Sequence, residues 1–318
     1  LSYFSGIGNA SRKGILVKGS NYLDVLTKIK AVDFDKTGTL TTGEFEIVNV
    51  IPKGKYKKEE IVYFACLGEQ YSNHPLAKGI TRNCTPKLPK LKKIKEVAGE
   101  GVYFEYNNNN YFVGRKQKDL QKTMVEVYEN DTLIGIIELC DEIKESTKPC
   151  IKDLRAMGIK TIMLSGDNES VVKDVAKEVG LDEAYGKLLP EDKYKFIENQ
   201  KNNKVVMAYV GDGINDAPSL TLADVGISMG LNGSEASIEA SDIVIANDNP
   251  QKIVEAIKIS KFTRKIVWQN IILSAVIKLT FLTLGAFGIT GMLSAVIADV
   301  GVTLVAILNS LRALKYKS

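Results

Sequence analysis

Ala31-Val32-Asp33-Phe34-Asp35-Lys36-Thr37-Gly38-Thr39-Leu40-Thr41 is the stretch whose reading decides the fold. A short apolar run that ends in an acid, with a glycine close behind, is the pattern of a buried parallel strand carrying a site at its C-terminal end. The pattern returns twice downstream. Thr161-Ile162-Met163-Leu164 leads into Ser165-Gly166-Asp167-Asn168, and the apolar run 205–210 leads into Gly211-Asp212-Gly213-Ile214-Asn215-Asp216. A helical segment closing at Gly180 lies between them. Strands alternating with helices predict an α/β, doubly wound parallel sheet with helices on both faces. Three acidic loops at the ends of three such strands then converge on one edge of the sheet.

That convergence points to phosphoryl transfer. An aspartate at a strand end can attack the γ-phosphate of ATP and carry the phosphoryl group, dividing one hard step into two. Such transfer needs charge neutralisation above all, so the site calls for Mg2+ and a cation near the phosphate. Asp212 is a natural Mg2+ ligand beside Asp35, since hard oxygen donors suit that ion. Lys193, in Leu189-Pro190-Glu191-Asp192-Lys193, can stabilise phosphate charge, while Thr37 and the Ser165-Gly166-Asp167 loop offer hydroxyl and backbone donors.

Asp35-Lys36-Thr37-Gly38-Thr39-Leu40-Thr41 and the 211–216 run, with the 165–167 loop and Lys193 between them, resemble the phosphorylation domain of P-type ATPases in the haloacid dehalogenase superfamily. The resemblance implies that Asp35 is phosphorylated and that Asp35, Thr37 and Asp212 bind Mg2+. It also implies that Lys36, Ser165, Gly166, Asp167, Lys193, Asn215 and Asp216 complete the phosphate site. Ser165 stands where the family usually has threonine, which keeps a hydroxyl. Thr42-Gly43-Glu44 spells the tripeptide of the family's actuator domain, but here it merely continues the leading motif and is not assigned that role.

From about 46 to 125 the texture changes to alternating strand-like segments around helical ones, with Asn107 to Asn110 reading as a hairpin turn because asparagine tolerates left-handed backbone angles. This block is assigned to an inserted α+β domain. Its Ser72-Asn73-His74-Pro75-Leu76-Ala77, with Glu69 before it and Gly99-Glu100-Gly101 and Val113-Gly114 after it, resembles the nucleotide-binding domain of heavy-metal-transporting P-type ATPases. By that match Glu69, His74, Gly99, Gly101 and Gly114 are the nucleotide residues, the glycines admitting close backbone approach.

The tail differs in kind. The spans 271–289 and 292–311 are almost wholly apolar, interrupted by Lys278 and Asp299, and each approaches the ~20 residues that cross a bilayer. They predict a helical hairpin. Lys261, Arg264 and Lys265 before it, and Arg312, Lys315 and Lys317 after it, place both ends in the cytoplasm. A charge in the bilayer interior is usually paired or functional, so Lys278 is taken as a charge partner of Asp299. Asn270, Lys278, Phe281-Leu282, Asp299-Val300-Gly301 and Asn309-Ser310-Leu311-Arg312 together resemble the last two helices of the zinc/cadmium/lead subgroup (P1B-type). Asp299 is therefore a candidate ligand for the transported Zn2+, Cd2+ or Pb2+, and a carboxylate suits such an ion better than Cu(I). A cobalt-type pump remains open on these residues.

Composition fits this reading. The 318 residues are 45% hydrophobic and 25% charged with a net charge of +4, and no dense basic stripe supports a nucleic-acid partner. Four cysteines without a Cys-x-x-Cys pair are expected as reduced thiols. The single histidine, His74, excludes a histidine-built metal site in the soluble part. The expected map is the end of a stalk helix over 1–20, a phosphorylation domain from 21–48 and 126–260, a nucleotide-binding domain over 49–125, and the membrane hairpin over 261–318. The N-terminus reads as a cut edge, so an actuator domain and a Cys-Pro-Cys helix are expected upstream or, alternatively, on a separate subunit. The expected protein is a multi-pass membrane ATPase with cytoplasmic catalytic domains. Its rival is a soluble haloacid-dehalogenase phosphatase.

Overall fold

The structure, a computed structural model, describes every residue except 73–74, 85–87, 92, 98–99, 117–122, 213–215, 231–234 and 317–318, with the side chains of Pro75, Ser237 and Met292 also left aside. The chain opens with helix α1 (Ser2–Arg12), strand β1 (Ile15–Val17), helix α2 (Ser20–Leu26) and strand β2 (Ala31–Asp35). A tight turn over Lys36–Leu40 leads to β3 (Thr41–Pro52), α3 (Lys58–Glu69), α4 (Pro75–Thr81), β4 (Ile94–Val97), β5 (Gly101–Tyr106), β6 (Asn109–Gly114), β7 (Met124–Glu129) and β8 (Thr132–Ile143). Then come α5 (Thr147–Ala156), β9 (Lys160–Leu164), α6 (Glu169–Val179), β10 (Glu183–Tyr185), α7 (Pro190–Asn202), β11 (Met207–Gly211), α8 (Ala217–Leu222), β12 (Val225–Met229), α9 (Glu235–Ala240) and β13 (Ile243–Ile245). Two long helices, α10 (Gln251–Ala286) and α11 (Met292–Leu314), finish the chain.

The strands form two sheets. One has seven strands in the order β1-β13-β12-β11-β2-β9-β10, parallel throughout except where β1 pairs antiparallel with β13. Its central strands β2 and β11 are buried at every position, as a sheet covered on both faces requires. The order places β9, β2 and β11 side by side, so the three acidic loops leave neighbouring strands at the same edge.

The other sheet is antiparallel, β3-β8-β7-β6-β5-β4. It draws strands from 41 to 143 and so reaches beyond the expected 49–125 interval at both ends. The reason lies in pairing: β3 and β8 are long antiparallel partners, from Thr41 opposite Ile143 to Pro52 opposite Gly135, and run continuously out of one sheet's loops into the other. The segment ahead of β2 supplies a helix and a short strand, and that strand, β1, closes an edge of the seven-stranded sheet. Asn107 and Asn108 sit at positive φ between β5 and β6, making the expected hairpin.

Two glycines hold that second sheet together. Gly101 and Gly114 face each other across β5 and β6. A Cβ on Gly101, whose φ is +148°, would meet the Val113 carbonyl oxygen at 2.2 Å; one on Gly114 would meet the Glu100 oxygen at the same distance. Their immediate role is thus backbone against backbone.

The cysteine expectation is corrected. Cys66 in α3 and Cys84 just after α4 form a disulfide, their Cα atoms 5.8 Å apart, while Cys140 and Cys150 are free. Packing of α4 against α3 brings together two cysteines that are 18 residues apart, a proximity no local motif encodes.

Helix α10 spans 36 residues, about 54 Å at 1.5 Å per residue. Its first half buries Ile253, Val254, Ala256, Ile257 and Ile259 in the core under the seven-stranded sheet and its flanking helices. Its second half leaves Ile271, Ile272, Val276, Leu279 and Leu282 exposed. Both α10 and α11 are long and apolar enough to cross a membrane. The first ends at Ala286, short of the expected Ile289, with Gly288 in the left-handed region of the following turn. At the other end of the hairpin a polar knot ties three helices. Asn270 donates to the Ser2 and Ser310 hydroxyls and to the Ala306 carbonyl, and Asn309 donates to Asn270.

Replacing Gly101 with alanine should destabilise the six-stranded sheet by about 2–4 kcal/mol, since the methyl group collides with backbone at an unfavourable φ. Denaturant titration checks this; a variant as stable as the parent would show that the two strands can separate to admit a side chain.

Candidate active site

Asp35 closes β2, and its carboxylate is nine-tenths buried. The next strand's loop supplies Asp212 and Asp216, and one carboxylate oxygen from each of the three lies within 4.8 Å of the others. Lys193 answers from the opposite side. Pro190 at the first position of α7, with Asp192 accepting the Leu189 N–H, starts that helix so that Lys193 falls in its opening turn. Its Nζ donates to Asp35 Oδ1 at 2.5 Å and to Asp216 Oδ1 at 3.1 Å.

One ammonium does not balance three carboxylates. Burial first, then the Asp216 charge, push the Asp35 carboxyl up to about 7 against the pull of Lys193. Burial and Asp216 likewise push Asp212 up to about 6, against the pull of Lys144. Burial works against the Lys193 ammonium, yet Asp35 and Asp216 raise it overall. The donors are all hard oxygens, and the surplus negative charge is what a divalent cation such as Mg2+ would relieve; the residues present fit that ion.

The loop that follows β2 is shaped for this approach. Gly38 has φ +72°, and a Cβ there would lie 1.7 Å from Asp212 Oδ2, so only glycine lets the two loops meet. Thr37 is exposed beside it and free to face an incoming group. Ser165 is buried, its hydroxyl accepting the Asp167 N–H at 3.1 Å, while Gly166 is exposed. Lys36 turns away from Asp35: its Nζ pairs with Asp167 and lies 3.8 Å from Asp141. It therefore fixes the 165–167 loop rather than touching the reacting carboxylate. Asn215 lies outside the described residues.

Sequence reasoning missed three residues here. Tyr209, buried in β11, donates its hydroxyl to Asp216 Oδ1 at 2.7 Å. Asp141 in β8 accepts from Thr41 Oγ1 at 2.6 Å and from the Gly43 N–H at 2.9 Å, locking the start of β3. Lys144 donates to the Gly38 carbonyl at 2.5 Å and to Asp248 at 2.8 Å. None belongs to a motif around Asp35; only Tyr209, two residues before Gly211, had a position to suggest it. Glu44 of the actuator-like tripeptide forms an ion pair with Arg82 at 2.7 Å.

The second candidate site is a cavity of about 500 Å³ on the six-stranded sheet, lined by Glu69, Leu76, Glu96, Gly101, Gly114 and Arg115 among others. It brings together Glu69, Gly101 and Gly114 from the expected nucleotide set; His74 and Gly99 lie outside the described residues. Glu69 is buried at the end of α3, and burial, reinforced by the Glu96 charge, pushes its carboxyl up to about 7. In the apolar tail, Lys278 Nζ stands 2.9 Å from Asp299 Oδ1, bridging α10 and α11.

A sheet of this topology with a carboxylate at the end of its central strand, and a second domain inserted directly after it, defines a class of α/β hydrolases built around a strand-end aspartate. The family model for haloacid dehalogenase-like hydrolases matches residues 29–224. A cadmium, zinc and cobalt-transporting ATPase of Bacillus subtilis is 41% identical over 100% of this chain and 48% of its own length. The crystal structure of a zinc-transporting PIB-type ATPase in an E2.Pi state superposes with a TM-score of 0.90 at 33% identity, covering 98% of this chain and 54% of that one. The catalytic domain of the CPx-ATPase CopB-B, also 33% identical, matches with a TM-score of 0.69 over 78% of this chain and 97% of its own. The chain belongs to the haloacid dehalogenase-like hydrolases and, within them, to the heavy-metal P1B-type P-type ATPases. It spans about half the length of the curated relatives it matches.

Glu69 sets a pH dependence. Its carboxyl ionises near 4.5 in an open chain and near 7 in the fold, so its contribution is fully present below 4.5 and is lost as pH rises through about 7. Glu69→Gln should flatten that loss, gaining up to about 3 kcal/mol at pH 8 and nothing at pH 4.5. Thermal melts across that range decide it; equal gains at all pH values would mean that Glu69 ionises normally.

Proposed function

We propose that this chain is the catalytic and C-terminal part of a pump that exports a divalent heavy metal (Zn2+, Cd2+ or Pb2+) by way of an aspartyl phosphate on Asp35. The observation that carries the reading is the packing of Asp35, Asp212 and Asp216 around Lys193 at adjoining strand ends. Asp35 Oδ attacks the γ-phosphorus of ATP, the bond to the bridging oxygen breaks, and ADP leaves with that electron pair. Water later hydrolyses the acyl phosphate and restores the carboxylate. Lys193 neutralises phosphate charge and orients Asp35, while Asp216, held by Tyr209, holds Lys193 in turn. Thr37, Ser165 and Gly166 offer donors to the phosphate oxygens, and Lys36 keeps the 165–167 loop in place through Asp167. Mg2+, held by Asp35, Asp212 and the Thr37 backbone, supplies charge neutralisation when bound.

The division of labour follows the two sheets. The seven-stranded unit, up to Leu40 and again from Lys144 to about 260, carries phosphorylation. The six-stranded unit binds the nucleotide in the Glu69–Gly101–Gly114 cavity, with His74 and Gly99 assigned to the same site. Helices α10 and α11 form the membrane hairpin, which makes the protein a multi-pass membrane protein with both catalytic units in the cytoplasm. The curated relatives are about twice as long as this stretch, and an actuator domain and a Cys-Pro-Cys helix are assigned to the rest of the pump, on the same chain or on a separate subunit. The relatives' named ions support the cargo, as does an acid–base pair, Asp299 and Lys278, within otherwise apolar helices.

ATPase activity of the full-length protein in lipid, measured with zinc, cadmium, cobalt and Cu(I), tests the whole reading. Zinc and cadmium should stimulate; stimulation by Cu(I) alone would discard the cargo assignment. Asp35→Asn should abolish acid-stable phosphoenzyme from labelled ATP while leaving nucleotide affinity within about 3-fold. Equal loss of both would overturn the division between the two units. Asp299→Ala in the full-length pump should lower zinc-stimulated turnover at least ~10-fold without lowering nucleotide affinity; an unchanged zinc response would remove Asp299 from the transport path.

A further inference from the structure

We propose that Cys66 and Cys84 are a reversible dithiol–disulfide couple whose state controls nucleotide affinity at the neighbouring cavity. The inference rests on the nucleotide reading of that cavity and goes beyond it. Disulfides in a reducing compartment are as a rule transient and serve redox sensing rather than construction, and the six-stranded unit belongs on the cytoplasmic side in the reading above.

The geometry suits an exchange reaction. Both cysteines line a second cavity of about 450 Å³ together with Lys58, Tyr63, Asn83 and Leu88, but Cys66 is 1% exposed in α3 whereas Cys84 is half-buried. A small disulfide can therefore reach Cys84 first. The Cys84 thiolate attacks one sulfur of a low-molecular-weight disulfide of the glutathione type, forming a mixed disulfide and releasing one small thiolate. The Cys66 thiolate then attacks the Cys84 sulfur, closes the internal bond and releases the second. Two protein thiols lose two protons and two electrons, and the small disulfide is reduced to two thiols. The reverse exchange restores the dithiol.

The bond acts on the nucleotide cavity because of where it stands. Glu69 lies three residues beyond Cys66, one turn along the same face of α3, and Leu76 lies in the first turn of α4; both wall the cavity. Cys84 follows the last turn of α4, where the Ile80 carbonyl approaches both sulfurs. The disulfide thus pins the far end of α4 to α3 and fixes the spacing of the two walls. Reduction leaves that spacing to packing alone, and the site that results is less preorganised for its ligand.

The experiment equilibrates the full chain in detergent with graded ratios of reduced to oxidised glutathione, traps thiols with a maleimide and maps the peptides. ATP affinity is measured by calorimetry on the same samples. The couple should titrate reversibly, and the disulfide form should bind ATP about 5-fold or more tightly than the dithiol form. Cys84→Ser, and independently Cys66→Ala, should bind as the reduced protein does at every ratio. A pair that never closes, or that closes and resists reduction, overturns the couple; a couple that interconverts with unchanged ATP affinity overturns its control of the cavity. Failure of the nucleotide reading itself looks different. No ATP would bind in either state while the trapping titration still proceeds, and control of nucleotide affinity would fall with that reading.

Discussion

Too much negative charge at one end of one strand is the constraint on which this structure turns. Asp35, Asp212 and Asp216 crowd together with, among the described residues, one contacting ammonium, that of Lys193, and burial adds to the cost of keeping Asp35 and Asp212 ionised. A fold organised only for stability would avoid this. The cluster persists because the seven-stranded sheet over-determines it: β2, β9 and β11 are buried parallel neighbours, and their loops have nowhere else to emerge. Lys193, Tyr209 and the glycine at position 38 then set the distances at which the carboxylates meet. The resulting site is poised for ligands that bring positive charge.

The second sheet hangs from the first by two strands that begin and end at this site. Thr41 and Gly43, immediately after the leading motif, are held by Asp141 from the returning strand, and Lys144 just beyond it reaches the Gly38 carbonyl. Any rotation of the six-stranded unit must strain contacts within a few residues of Asp35. The cavity on one unit and the Asp35 carboxylate on the other are thereby mechanically neighbours. The same economy appears at the opposite pole, where α10 is a single helix that packs under the seven-stranded sheet and continues as an apolar segment. Because α1, α10 and α11 are tied by Asn270, Asn309, Ser2 and Ser310, a shift of the sheet is passed to the hairpin through polar contacts in addition to apolar packing.

Much of this was legible in the amino-acid order. The apolar-run pattern located β2, β9 and β11 to within about two residues, and Gly180 marked where a helix stops. Asp35, Asp212 and Lys193 were recognisable because each sits at a strand end or a helix start whose local signals are strong. The extent of the six-stranded sheet was not legible. Antiparallel partners 41–52 and 132–143 are separated by some eighty residues, and register between distant strands is settled by their pairing rather than by either segment alone. Asp141 and Lys144 were invisible for the same reason.

What the sequence determined by itself is the chemistry available: an aspartate at a strand end, further carboxylates and a lysine in separate motifs, glycines where backbone must come close, and two apolar spans carrying one charge each. Local residue types and spacings suffice for that. Only the tertiary structure decided the partnerships: Lys36 with Asp167 rather than Asp35, Tyr209 with Asp216, Gly101 against Gly114, and Cys66 with Cys84. Each of these depends on where two separately formed elements come to rest, a position fixed by packing across the whole core and written in no single stretch of the chain.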